Sequence, residues 1–276
     1  MALTFKTEGH LYESLDPTEK IDWISATGFI KLFKQPFDAE AQSKKSSKNK
    51  RSKWYGIPPE EILKHWSDES ERAMSAGTFY HDQRESDISE LETIQRQGVA
   101  VPIIKPIVEN GIKYAPVQRL TEGIYPELLV YLKSAGICGQ ADRIEVVKDL
   151  VDVIDYKTNK KLDKESFKNW EGQYQMMTGP CAHLMDCNFN HYALQLSLYL
   201  YIILKHNPRY KPGKLVLHHV IFLKEDEDKF GNPIYKKNDK GEPIVKEVVP
   251  HEVPYLKDEI RAMINWLKDY RKNVKN

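Results

Sequence analysis

Two aspartates and a lysine, Asp142, Asp155 and Lys157, stand in a stretch otherwise rich in Val and Ile, Gly136 to Thr158 (GICGQADRIEVVKDLVDVIDYKT). Lys148 and Asp149 form a polar break between two such runs, so a two-residue turn there folds the stretch into a β-hairpin. That register sets Asp142 opposite Asp155. Side chains alternate along a strand, so Lys157 shares the face of Asp155 with Val151, Val153, Ile144 and Val146. Like charges opposed across a sheet destabilise it by about 0.2–1 kcal/mol unless a cation lies between them. Carboxylate and main-chain carbonyl oxygens suit a hard divalent ion, so Mg2+ is expected, with Mn2+ as the alternative. A metal held by Asp142, Asp155 and the carbonyl of Tyr156, with Lys157 orienting a water and offsetting charge on a phosphate, is equipment for phosphodiester hydrolysis. The alternative is a surface hairpin whose charges merely pair.

Several elements must position these groups. Leu3 to Tyr12 alternates loosely and suggests a small hairpin around Glu8-Gly9. Ser25-Ala-Thr27 opens a helix through Lys34 with an apolar stripe of Phe29, Ile30, Leu32 and Phe33. Pro58-Pro59 starts a helix that presents Ile62, Leu63 and Trp66. A further helical stretch runs toward Gln97, with Gly77 and His81 near a break between the two. Val99 to Val117 reads as short strands or loops. Tyr125 to Lys133 reads as a strand, with Pro126 tolerated at its start and Glu127 beside it. A long polar connection, Asn159 to Asn190, follows Lys157, and its Trp170, Tyr174, Met176 and Met177 indicate that part of it packs.

Asn190 to His206 is apolar nearly all round, as a helix buried against a sheet would be. Its Gln195 and Tyr199 are one turn apart on one face, either to position a lysine, water or phosphate, or simply to satisfy each other. Lys214 to Leu223 is another strand, Phe230-Gly-Asn-Pro and Asp239-Lys-Gly-Glu mark turns of a polar hairpin, and Val253 to Lys275 has the spacing of an amphipathic helix. Cys181, His183, Cys187 and His191 do not have the spacing of a usual structural zinc site.

Asp142 followed by Asp155-Tyr156-Lys157 resembles the D…(D/E)xK signature of the PD-(D/E)xK nuclease superfamily, with Ala141 where the named proline would stand. Gln195-Leu-Ser-Leu-Tyr199 resembles the QxxxY element of its RecB-like branch, and Gly77-Thr78-Phe79-Tyr80-His81 the upstream G…H element. The general features are similar to phage exonucleases and mitochondrial genome maintenance exonucleases. The resemblance implies an α/β, restriction-endonuclease-like αβββαβ core, with a mixed central sheet flanked by helices. It implies a metal site of Asp142, Asp155, Tyr156, Glu127 and His81, and catalytic roles for Asp142, Asp155, Lys157, Gln195 and Tyr199. The implied activity is a metal-dependent DNA exonuclease acting on single strands or ends in replication, recombination or repair. An endonuclease or nickase with the same site, or a non-catalytic nucleic-acid-binding module, are the alternatives. Replication or recombination proteins are the implied partners.

The chain of 276 residues, 41% hydrophobic, is expected to form one nuclease domain. Residues 1–68 form an N-terminal hairpin and helical region with a basic segment, 69–223 the core, and 224–276 a hairpin extension and terminal helix. A formal net charge of +1 does not announce a nucleic-acid binder, so that case rests on where charge is concentrated. The concentration is the run KKSSKNKRSK: Lys44, Lys45, Lys48, Lys50, Arg51 and Lys53 either decorate a mobile, solvated segment or contact phosphates. Trp54, Tyr55 and Trp66 nearby offer core packing first and base stacking second. Three cysteines suggest a reducing compartment and cannot supply the four thiolates of the iron-sulfur cluster found in some RecB-like relatives, so none is expected. No apolar run reaches the ~20 residues of a membrane span and no targeting signal is evident, so a cytoplasmic location is expected.

Overall fold

The computed structural model describes residues 3–6, 9, 11–169 and 171–274. Glu8 of the expected first turn and Trp170 lie outside the described residues. The elements in chain order are β1 (Leu3–Lys6), β2 (Leu11–Ser14), β3 (Ile24–Ser25), α1 (Ala26–Lys31), α2 (Ala39–Lys48), α3 (Pro59–Ser89), β4 (Thr93–Arg96), β5 (Val99–Pro102), β6 (Ile107–Glu109) and β7 (Ile112–Tyr114). The second half comprises β8 (Gly123–Leu132), β9 (Ile137–Val147), β10 (Leu150–Lys157), α4 (Asn188–His206), β11 (Lys211–Phe222), β12 (Lys224–Glu227), β13 (Pro233–Tyr235), β14 (Val245–Val253) and α5 (Lys257–Val274).

β8, β9 and β10 form an antiparallel meander, and α4 then crosses over to β11, which runs parallel to β10. The central sheet has the order β14-β11-β10-β9-β3, with β8 on the other edge of β9. It is a mixed sheet covered on both faces. One face packs on α1, α4 and α5, through a core that includes Ile144, Val146, Val151, Val153 and Leu217. The other packs Ile154, Tyr156, Val220 and Phe222 against Tyr80 of α3. The β9–β10 turn is the expected one: Leu150 pairs with Val147 and Val151 with Val146, and Lys148 takes a left-handed φ of 58°. Leu194, Leu196, Leu198 and Leu200 of α4 are all fully buried, as its all-round apolarity requires.

Several sequence expectations change in the folded chain, beginning with the helical stretch expected to run toward Gln97, which ends at Ser89 and is followed by the strand β4 paired with β5. The two helices expected to meet near Gly77 are one continuous 31-residue helix, α3. A single glycine costs about 1 kcal/mol in a helix interior and does not break it. Pro126 lies inside β8, paired with Arg143, rather than at its start. Among the described residues the outer edge of β8 carries only the isolated bridge Ile103↔Ile124, so the missing N–H is tolerated there. The basic run is not a loose segment: Asp38 caps α2 by accepting from the Ala41 N–H at 2.9 Å, and Ser43 and Ser46 are buried. The N-terminal helix opens as expected, with Ser25 accepting from Gly28, but ends at Lys31. Finally, β14 joins the central sheet beyond β11, a strand that its polar sequence, VKEVVPHEV, does not announce. No helix among the described residues is long and apolar enough to cross a membrane.

Candidate metal and catalytic site

Three carboxylates lie in a row across three strands. The pairs Pro126↔Arg143 and Leu128↔Ala141 put Glu127 opposite Asp142, and the β9–β10 register carries the row on to Asp155. The ladders give way at this row. β8 covers one edge of β9 along its length, while β10 follows the other edge only as far as Arg143, and β3 takes that edge again at Ile137 and Cys138. Where the strands part, the Asp142 carboxylate replaces a main-chain acceptor: its Oδ2 accepts the Tyr156 N–H at 2.7 Å. Glu127 itself has a φ of 48°, a conformation that β-strand side chains rarely adopt and that re-aims its carboxylate.

α3 brings His81 to this row. Its Nδ1 lies 3.3 Å from Asp142 Oδ2 and 4.0 Å from Glu127 Oε1. Ligand atoms of His81, Glu127 and Asp142 all fall within 4.8 Å of one another, and the set of one imidazole and two carboxylates fits a hard divalent cation. Asp155 is turned instead toward Lys157, with Nζ 2.6 Å from Oδ2. Gly77, one helical turn before His81, leaves room for the strand end: a Cβ there would come within 3.1 Å of Thr158 Oγ1.

The charges do not balance, and the acid–base properties follow. Burial pushes Glu127 up to about 8, with the neighbouring Asp142 charge adding to it. Burial likewise raises Asp155 to about 6, although Lys157 opposes the shift. Burial also disfavours the Asp142 charge, but the His81 charge and hydrogen bond win and hold its carboxyl below the usual value. For His81 burial opposes the charged form, yet Asp142 pulls its pKa up to about 9. Lys157 is buried against Asp155 and Asp142, which keep its ammonium charged despite desolvation.

Gln195 and Tyr199 meet each other: the Gln195 amide donates to the Tyr199 hydroxyl at 3.0 Å. The Tyr199 ring lies over Gly139, where a Cβ would approach it to 2.8 Å. That glycine is therefore the condition for α4 to pack on β9 beside Asp142. The basic residues do not converge on the carboxylates. Lys44, Lys45 and Lys48 project from α2, and Lys53 donates to the Phe230 carbonyl at 2.7 Å. Trp54 is buried, 4.6 Å between ring centroids from Phe230, so it packs rather than stacks on bases.

Two neighbours of the site escaped the sequence reading. Gln140 donates to Glu127, and Tyr192 lies under the Lys157 ammonium, 4.8 Å from Nζ to ring centroid. Both had a signal: Gln140 precedes Asp142 by two and shares its face, and Tyr192 continues the Gln195 and Tyr199 side of α4.

No curated protein and no solved structure matches the chain. A family model, that of the PD-(D/E)XK nuclease superfamily, matches residues 31–276 and thus takes in α3, the carboxylate row, α4 and β11. The chain belongs to the PD-(D/E)XK nuclease superfamily, whose members hydrolyse phosphodiester bonds in nucleic acid with divalent metal ions.

Proposed function

We propose that the protein is a DNA exonuclease acting on single strands or free ends, with Mg2+ as its ion and Mn2+ as a substitute. The observation that carries the reading is the row Glu127, Asp142, Asp155 with Lys157 Nζ 2.6 Å from the last carboxylate and His81 set against the second. Three carboxylates, Asp155 buried and Glu127 and Asp142 partly so, with one ammonium and one imidazole give a site rich in negative charge, which a divalent cation would complete. Asp142, Asp155, Glu127, His81 and the Tyr156 carbonyl are the groups that would hold it. The ion supplies Lewis-acid polarisation of the scissile phosphate and a more acidic water. Lys157 orients that water and offsets charge on the phosphoryl oxygens. Gln195 and Tyr199, hydrogen-bonded to each other, fix the α4 face that supports Lys157, as does the Tyr192 ring. The resemblance of the Gly77–His81 and Gln195–Tyr199 elements to the RecB-like branch supports an exonuclease in replication, recombination or repair. The exposed lysines of α2 and the turn after it serve as auxiliary phosphate contacts.

The test is a time course on end-labelled linear single-stranded DNA and on a closed single-stranded circle, with Mg2+ and with EDTA. Loss of the linear substrate alone, abolished by EDTA, is the expected result. Cutting of the circle would convert the assignment to an endonuclease, and equal cleavage in EDTA would remove the metal from it.

A further inference from the structure

After β11 the chain leaves the central sheet as the β12–β13 hairpin and folds back over α3. Asn232, only 8% exposed, holds it there. Its side-chain Nδ2 lies 2.6 Å from His65 Nε2 on α3 and donates to Asp228 Oδ2 at 3.0 Å, while its Oδ1 accepts from Lys160 Nζ at 2.9 Å. Asp228 Oδ1 also accepts the N–H groups of Phe230 and Asn232, each at 2.9 Å. Phe230 packs on Trp54 and His65, with ring centroids 4.6 and 4.3 Å away. The hairpin is therefore a fixed roof rather than a loose appendage.

Under this roof, between α3 and the segment following β10, lies a cleft of about 1010 Å³, lined by Trp66, Phe79, Tyr235, Thr158, Lys161 and Lys237 among others. Thr158, the residue after Lys157, and Phe79, two residues before His81, line it, whereas none of the three carboxylates of the row does. From Phe79 to Trp66 it follows α3 for about 20 Å at the helical rise, room for several nucleotides of an extended strand. Two of its cations are engaged: Arg72 with Glu69 at 2.8 Å, and Lys160 with Glu69 and Asn232. Lys161 and Lys237 are exposed and make no ion pair among the described residues. Asp163 and Glu242 also line the cleft, but aromatic rings along a groove with unpaired cations at its rim suit a single strand, since its bases offer open faces and its phosphates lie outside. A duplex keeps its base faces stacked and presents only backbone to such a groove.

We propose that this cleft holds the single-stranded segment of the substrate leading to the scissile phosphate, with Trp66, Phe79 and Tyr235 stacking on bases and Lys161 and Lys237 meeting phosphates. The assignment rests on the nuclease reading of the carboxylate row, yet the two stand on different residues and fail separately.

The full-length chain, held in EDTA to prevent cleavage, is titrated against a short fluorescein-labelled single-stranded oligonucleotide and against the same sequence as a duplex. Trp66→Ala is expected to weaken single-strand binding about tenfold or more while duplex binding is unchanged. Lys161→Ala with Lys237→Ala is expected to reduce the salt slope of single-strand binding by about 0.7 for each phosphate that is no longer neutralised. Both side chains are exposed, so the lysine pair decides the matter should Trp66→Ala unfold the chain. Wild-type single-strand affinity and salt slope in the lysine pair, or equal losses for duplex and single strand, would overturn the cleft assignment. Mn2+ binding by calorimetry reports the carboxylate row independently: its absence in the wild-type chain counts against the nuclease site, not the cleft.

Discussion

β9 carries two buried ionic clusters only three residues apart, and they are built on opposite terms. Glu145 receives two guanidinium groups: Arg96, with Nε and Nη2 at 2.8 and 3.1 Å, and Arg143 beside it. At Asp142 three carboxylates share one ammonium and one imidazole. An excess of cationic partners, with the two-pronged Arg96 contact, makes Glu145 a structural tie between β9 and the β4–β5 hairpin. At Asp142 the three carboxylates outnumber their cations, and burial, with the Asp142 charge adding to it, pushes Glu127 up to about 8 and Asp155 to about 6. Buried charge by itself distinguishes nothing; the balance of charge around it is what differs between the two clusters.

The sharpest break of this contrast comes from Asp155→Asn, or from Lys157→Ala. Each is expected to lower DNA cleavage by about a thousandfold or more while thermal unfolding shows the chain still folded. Wild-type cleavage in both variants would move the chemistry elsewhere. Glu145→Ala is the mirror experiment. It strands two guanidinium groups and is expected to cost about 3–5 kcal/mol in denaturant unfolding. A stability loss no larger than that of an exposed pair would make the two clusters alike.

Metal should act on one cluster only. Mg2+ or Mn2+ at a hundredfold excess over its Kd is expected to stabilise the chain by about 2.7 kcal/mol, and EDTA to remove the gain. Asp142→Asn should abolish that response, and a shift retained in this variant would place the ion at another site. In EDTA the under-compensated cluster also predicts a pH trend. Glu127 rises from its ordinary 4.5 to about 8 and His81 from 6.5 to about 9, so both bind protons more tightly in the folded chain than in the unfolded one. Their contribution to stability is full below the unfolded values and is lost as pH rises through the folded ones, so stability should decline between pH 4.5 and 9. Glu127→Gln should flatten the lower part of that decline, and an unchanged profile would deny the strain at Glu127. The smallest effect belongs to Tyr199→Phe, which removes one hydrogen bond beside Gly139 and is expected to cost about 1 kcal/mol, read by the same unfolding assay.

Legibility followed range. The β9–β10 hairpin could be read because a two-residue turn and a period of two settle which side chains face each other without reference to anything distant. The α4 helix could be read because nineteen residues, with neither glycine nor proline and apolar on every side, have few other folds open to them. The Ser25 cap was equally local. By contrast, the polarity of β14 concealed a strand whose partner, β11, supplies the ladder, and Gly77 signalled a break where the helix runs on and the glycine instead leaves room for Thr158.

The sequence by itself determined the face on which Asp142, Asp155 and Lys157 stand, the helix that covers it and the metal chemistry such oxygens favour, because these depend on residue type and local period. The resemblance placed His81 at the site, but only tertiary structure decided that it comes within 3.3 Å of Asp142, that Glu127 turns through a positive φ, and that the β12–β13 hairpin roofs a cleft over α3. Those outcomes depend on which elements exclude water from one another, and desolvation is a property of the assembled surfaces that no local stretch of sequence contains.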